Sequence, residues 1–349
     1  MENIFGLSIN DISNLIAPFD VPRFRAKQIA EWMYRKGASS FDGMTNLSKD
    51  LRKKLSDNFF IGRPSLIDKW DSSDDETTKF LLGFKDGVAV ECVLMRHDYG
   101  NSVCISTQAG CSMGCRFCAS TIHGVERDLL AGEMLSEVMY IDEYLKTTDE
   151  KAKVDTLVLM GSGEPMMNYD NVISFMRLIH EPYTLNMSYR SMTVSTAGII
   201  DKIDSLANED IPVSLAISLH APNDDIRDLI MPVNKKYGVD DLIAAGKRYG
   251  DKTKRRVTYE YILIAGLNDS DDNAKELAKR LRGQLASVNL IPVNSVMKSD
   301  FQRPSKDRVN KFCAILNERH VAATVRREMG SDIAAACGQL RNRHIDCKS

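Results

Sequence analysis

The run Cys111-Ser-Met-Gly-Cys115-Arg-Phe-Cys118 sets three thiols within one short segment. Three thiolates can ligate three corners of a 4Fe-4S cluster and leave the fourth iron open. Clusters that only carry electrons normally have four cysteines, and a metal site short of one protein ligand keeps a position for a substrate or cofactor. The competing chemistry is a structural zinc with His123 as fourth ligand, because thiolate and imidazole both suit that metal. The cysteine spacing alone leaves both open.

Neighbouring elements must hold those cysteines. Ser102-Val-Cys-Ile-Ser-Thr107 reads as a strand before them. Leu129 to Leu145 reads as an amphipathic helix after them, with Met134, Leu135, Val138, Met139 and Leu145 on one face. A zinc knuckle is a small self-contained module, so this setting favours the cluster. The C-x3-C-x2-C spacing, with Phe117 before the last cysteine, resembles the signature of radical S-adenosylmethionine (SAM) enzymes, in which the open iron chelates the amino and carboxylate groups of SAM.

Strand and helix patterns alternate onward from residue 102. Further candidate strands run from Thr156 to Met160, Ser191 to Thr196, Val213 to His220, Arg256 to Ile264, Ser287 to Val293 and Val321 to Arg327. Helical patterns such as Asp272 to Leu281 and Lys306 to Arg319 lie between them, and such alternation implies a parallel sheet. A closed eight-unit barrel needs more repeats, so the expected fold is α/β, a partial (β/α)6 radical SAM barrel with ligands at the carboxyl ends of its strands. Residues 1–63 predict a small helical domain, with Ile29, Trp32 and Met33 in one helix and Leu47, Leu51 and Leu55 in another. Residues 64–96 predict a linking β-hairpin that turns at Asp86-Gly87, which leaves residues 97–349 for the barrel domain.

A chain of 349 residues with 43% apolar and 27% charged residues is an ordinary globular composition. No membrane segment is evident, and the start, Met1 to Ser8, lacks the basic and apolar regions of a signal peptide, so a cytoplasmic location is expected. Eight cysteines in that reducing compartment point to metal and redox chemistry rather than a disulfide framework. The net charge of −2 argues against a uniformly basic nucleic-acid binder. Between Pro22 and Arg63, however, ten Lys and Arg face four acids, enough for a phosphate-binding face, although a solvated helix surface reads the same way.

Several polar residues fall at strand ends. Gly161-Ser-Gly-Glu-Pro165 is a tight turn whose glycines let backbone approach a ligand and whose Glu164 can accept from an ammonium. It resembles the GGEP-type SAM contact of radical SAM enzymes, which assigns Gly163 and Glu164 to the cofactor. Ser195, Ser218-Leu219-His220 and Asn294 end later strands and would line the same rim. Cys104 lies in the strand before the triplet, and Cys337 sits among small residues in Gly330-Ser-Asp-Ile-Ala-Ala-Ala-Cys337. A free cysteine is ordinarily a small buried hydrophobe. That reading is kept for Cys92, Cys347 and Cys313, the last with Val309, Phe312 and Leu316 on a helix face.

Together these segments resemble the RlmN family of dual-specificity RNA methyltransferases. The resemblance rests on Cys104 to Cys118, Gly161 to Pro165, Ser218-Leu-His-Ala-Pro-Asn223, Met231-Pro-Val-Asn-Lys-Lys236 and Asp332 to Leu340. Phe24 to Tyr34 and Met44 to Ser48 extend it to the amino-terminal helical domain; Ser162 stands where the family usually has methionine. The resemblance implies methylation of C2 of adenosine 2503 in 23S rRNA and of adenosine 37 in some tRNAs, with two SAM molecules per turnover. Cys337 would take a methyl group from one SAM. A radical made from the second, on the open iron held by Cys111, Cys115 and Cys118, would activate that methyl for addition to C2. Cys104 would then release the product by forming a transient disulfide with Cys337, and Glu91 would be the general base. An external electron donor such as flavodoxin and a monomeric chain are the further expectations. C8 methylation of the same adenosine, as in the related Cfr type, and a zinc-stabilised RNA-binding protein remain the alternatives. Glu164-Pro165 favours RlmN over the first, and Cys104 with Cys337 is unexplained by the second.

Overall fold

Alternation of small polar with large apolar residues, as in Met192-Thr-Val-Ser-Thr196 and Ser214-Leu-Ala-Ile-Ser218, equips a strand with one face for a cavity and one for a core. A computed structural model describes residues 1–74, 76–293, 300–327 and 345. Its first strands are β1 (Glu2–Asn3), β2 (Phe59–Phe60), β3 (Ser65–Asp71), β4 (Thr77–Gly83), β5 (Ala89–His97), β6 (Gly100–Cys104), β7 (Gln108–Gly110) and β8 (Val125–Asp128). Then come β9 (Val154–Leu159), β10 (Met192–Thr196), β11 (Ser214–Ser218), β12 (Val257–Leu263), β13 (Ala286–Pro292) and β14 (Ala322–Val325). A 10-stranded sheet runs in the order β14-β13-β12-β11-β10-β9-β6-β5-β4-β3. From β14 to β6 every neighbouring pair is parallel, and β5, β4 and β3 continue the sheet antiparallel.

The expected parallel α/β sheet is therefore present, and so is the turn at Asp86-Gly87 between β4 and β5. Sequence reading missed β3, and it missed that the hairpin extends the sheet beside β6. Helices α4 (Ala131–Thr148), α5 (Tyr169–His180), α6 (Ile200–Leu206), α7 (Asp224–Ile230), α8 (Val239–Thr253), α9 (Asp271–Leu281) and α10 (Lys306–Glu318) connect the parallel strands. They follow α1 (Ile9–Ile16), α2 (Phe24–Ala30) and α3 (Lys49–Asn58) of the amino-terminal segment. Ser8 and Ser48 cap α1 and α3 with their hydroxyls. The helix expected around Trp32 is α2 to Ala30, and a wider turn over Glu31–Arg35 follows it. Among the described residues no helix is long and apolar enough to cross a membrane.

Register decides which side chains share a face. Leu157, Leu159, Val194, Leu215, Ile217, Tyr259 and Leu290 project under the helices into the main core, which is continuous with Ile12, Ile29 and Leu51 of the amino-terminal helices. The other face is small and polar. Cys104 pairs with Val158 and Val158 with Thr193; Ser195 pairs with Ala216 and Ala216 with Thr258; Ser218 pairs with Glu260 and Glu260 with Asn289. A parallel sheet covered on both faces reads as continuous hydrophobic runs. The polar row thus marks an inner wall that lines a cavity.

Candidate active site

The cysteine loop leaves the sheet through β7 and returns through β8, and the antiparallel pairing of these strands clamps its base. Cys111 N–H donates to Gly124 O at 3.0 Å, and the Thr121 hydroxyl donates to Cys118 O at 2.9 Å. Gly110, Gly114 and Gly124 take φ values of 86°, 70° and 68°, which lets a chain this short reverse around the sulfurs. Across the loop, Arg116 N–H donates to Ile230 O and Arg116 Nη1 to Leu229 O, both at 3.0 Å. Cys115 packs into an apolar cluster with Ala197, Ile230, Met231, Ile264 and Val293, and Phe117 and Cys118 pack against it. This wall buries Cys115, whereas Cys118 keeps partial exposure.

The turn after β9 is bolted to the same loop. Thr107 and Gln108 N–H groups donate to Ser162 O at 2.8 and 3.1 Å, and Gly110 N–H donates to Ser162 Oγ at 3.1 Å. Glu164 N–H donates to Gln108 Oε1 at 2.9 Å. Gly163 has φ 107°, and a Cβ there would meet Gln108 N at 2.7 Å, so both conformation and proximity require glycine. The Glu164 carboxylate points inward. It accepts from Ala197 N–H at 2.6 Å and from Met166 N–H at 3.0 Å. Burial raises its pKa against the lowering effect of those donors. Glu164 thus fixes the turn after β9 to the turn after β10.

The ends of β11 and β12 are joined in the same way. His220 has φ 61° and its Nδ1 accepts from Ile262 N–H at 2.9 Å, so a neutral ring carries its proton on Nε2. Burial, with Arg227 nearby, lowers its pKa to about 3. Its ring meets Phe117 edge-on at 4.8 Å. Sequence reading missed two hubs. Asn268 Nδ2 donates to His220 O at 2.8 Å and Ile262 O at 2.6 Å. Arg227 Nη2 donates to Ala197 O at 2.7 Å and Ser218 O at 3.1 Å. Neither falls in a recognisable motif, and the polar sequence around each hides it.

On the inner wall, Cys104 stands opposite Val93 of β5, two residues from Glu91 and on the same face. Lys79 of β4 pairs in register with Val93, and its Nζ lies 2.7 Å from Glu91 Oε2 in a fully buried ion pair. Ser195 and Ser218 line the same face farther along. Cys92 points the other way, opposite Phe80, whose ring packs on Tyr140 and Tyr144 of α4. Cys313 packs at the edge of the main core. Cys337, Asn294 and Cys347 lie outside the described residues.

The donor set at the loop fits a cluster. Cys111, Cys115 and Cys118 are free thiols. Burial, with the charges of the neighbouring cysteines and Glu164, pushes Cys111 up to about 12 and raises Cys115 further. Such thiols ionise only when a cation compensates them, which is how soft metal centres bind. Among the described residues no three His, Cys, Asp or Glu side chains converge as one ion requires. Zinc, about 2.3 Å from each sulfur, needs that convergence; thiolates on separate irons do not.

The sequence model of the Radical SAM superfamily matches residues 105–278, and that of the ribosomal RNA large subunit methyltransferase N-terminal domain matches residues 2–61. A Clostridium perfringens protein named "Probable dual-specificity RNA methyltransferase RlmN" is 47% identical over 100% of this chain and 99% of its own. A Symbiobacterium thermophilum protein of the same name is 48% identical over 97% of this chain and 91% of its own. The crystal structure of a radical SAM methyltransferase from Sphaerobacter thermophilus, 43% identical, superposes with a TM-score of 0.92 over 97% of this chain and 99% of that one. Radical SAM membership carries a 4Fe-4S cluster and SAM with it. The chain belongs to the RlmN family of radical SAM RNA methyltransferases.

Proposed function

We propose that this chain methylates C2 of adenosine 2503 in 23S rRNA and of adenosine 37 in some tRNAs through a methyl group carried on Cys337. C2 of adenine is an amidine carbon with no nucleophilic lone pair, so direct attack on the SAM methyl is not available. The cluster and SAM supply the one-electron chemistry that such a carbon needs. Cys111, Cys115 and Cys118 hold the cluster. Gly163, Ser195, Ser218, Leu219 and Asn294 present backbone and side chains to SAM. Glu164 acts on SAM through the turns it fixes, since its oxygens are engaged by Ala197 and Met166 N–H groups, whereas His220, whose Nδ1 is taken by Ile262 N–H, presents Nε2–H to SAM.

Cys337 takes a methyl from one SAM of the two used per turnover; once the one-electron chemistry of the second SAM has removed one hydrogen atom from that methyl, its carbon would bond C2, and the one electron the adduct then has to lose would be taken up by the cluster. Glu91 accepts the C2 proton. Cys104 thiolate attacks the Cys337 sulfur: a sulfur–sulfur bond forms, the carbon–sulfur bond breaks, and its electron pair returns to a carbon that is protonated to the new methyl. The observation that supports this reading most is the shared inner face of Cys104 and Glu91, one strand apart, with Lys79 paired to the carboxylate.

In this reading residues 1–63 are an RNA-binding accessory domain, 64–96 link it, and 97–349 form the catalytic domain. Arg23, Arg25, Arg52 and Lys53 contact phosphate. Asp57 pairs with Lys53 at 2.8 Å, so that contact competes with an existing surface pair. The reductant is an external one-electron donor such as flavodoxin, and the enzyme works as a cytoplasmic monomer. The test is mass spectrometry of nucleosides from an unmodified 23S rRNA fragment after reaction, with authentic standards. 2-Methyladenosine is expected; 8-methyladenosine would return the chain to the Cfr-type reading.

A further inference from the structure

Arg227 is fully buried, and a buried guanidinium requires compensation. Its five N–H groups all reach oxygens: Nε to Leu219 O at 3.0 Å, Nη1 to Asn234 Oδ1 at 3.0 Å and Tyr237 O at 3.2 Å, and Nη2 to Ala197 O and Ser218 O. All these acceptors are neutral. Among the described residues no carboxylate pairs with it directly. Asp224 and Asp228 act on its charge across Asn234, whose Nδ2 donates to them at 3.0 and 2.8 Å.

The cysteine loop lies on its other side. Arg116 docks on the last carbonyls of α7, the helix that carries Arg227. Ala197, bonded to Arg227, shares an apolar cluster with Cys115, Ile230 and Met231. Arg227 lies within Coulombic reach of Cys115.

We propose that Arg227 is a positioning residue for the cluster site and that its fixed charge, held in an apolar wall beside Cys115, favours the reduced cluster. The reduction adds one electron from an external one-electron donor, with no bond or proton exchanged. The three-thiolate cluster becomes more negative by one charge, and a cation in a low-dielectric wall stabilises that state. Arg227 also sets the geometry, because it ties the ends of β10 and β11 to α7. The inference rests on the reading of Cys111, Cys115 and Cys118 as cluster ligands and is independent of the RNA product.

The test is a potentiometric titration of the full chain, reconstituted anaerobically without RNA, reduced with dithionite and followed by electron paramagnetic resonance. Iron content and circular dichroism are measured on each sample. A wild-type chain that takes up no iron would refute the ligand reading, and this inference with it. Arg227→Met at wild-type iron content should shift the midpoint potential to more negative values, and Arg227→Lys should recover most of the shift. Equal potentials in wild type and Arg227→Met would overturn the proposal, because a purely structural role lowers loading or melting temperature without moving the potential. Where Arg227→Met does not fold or load, Asp228→Asn decides. Removing an acid that offsets Arg227 should move the potential to more positive values, and an unchanged potential would overturn the proposal.

Discussion

Glu91 and Glu137 are both buried, one on each side of β5, but only one of them has a cation. Lys79 Nζ stands 2.7 Å from Glu91 Oε2 on the inner face. On the outer side Glu137 of α4 accepts one N–H, from Ser106 at 3.2 Å, and its Oε1 has no partner among the described residues. Burial therefore holds Glu137 well above the usual carboxylate range. The thiols divide in the same way. Cys104 faces the cavity beside the ion pair, whereas Cys92 is packed near Glu137, and burial raises its pKa well above normal. Burial alone thus does not set Glu91 apart from Glu137 or Cys104 from Cys92; a partner and a place on the inner face do.

The sharpest way to break this contrast is to remove the cation. Lys79→Met takes the cation away from buried Glu91, and unfolding measurements should find a loss of about 3–5 kcal/mol, with methylation abolished. The double variant Lys79→Met/Glu91→Gln should regain much of the stability without the activity. Additive losses would mean that the two side chains do not form the pair described.

Glu137→Gln should be mild at acidic pH, within about 1 kcal/mol, since amide there replaces a protonated acid. Its folded pKa is raised, so its contribution is fully present below the unfolded value near 4.5 and is lost as pH rises towards the folded one. Denaturant melts across that window should show the wild type losing stability relative to Glu137→Gln as pH rises. Parallel curves would contradict a raised Glu137 pKa. Smaller still, Cys92→Ala should cost on the order of 1 kcal/mol of stability and leave turnover intact in a nucleoside assay.

Much of the inner wall was legible because a strand's period of two survives in any sequence. Ser195 and Ser218 alternate with Val194 and Ile217, and Cys104 alternates with Val103 and Ile105. The cysteine triplet and Gly163 were legible because metal ligation and close backbone approach restrict residue type. The ribbon of β7 and β8 was not, since its strands are short and one ends in glycine. Lys79 was passed over because a single lysine in a strand reads as solvent-facing. Its neighbour Glu91 became a partner only through cross-strand register. Arg227, Gln108 and Asn268 join segments distant in sequence, and no local pattern marks them.

We propose that Cys104, and not the neighbouring buried Cys92, resolves an intermediate carried on Cys337. The direct measurement is tandem mass spectrometry of Cys104→Ala after reaction with unmodified rRNA, SAM and reductant, with Cys92→Ala alongside. Cys104→Ala should accumulate a covalent adduct that joins Cys337 to adenine through one methylene, and Cys92→Ala should release methylated RNA. Normal turnover by Cys104→Ala, or a crosslink at another cysteine, would contradict the account.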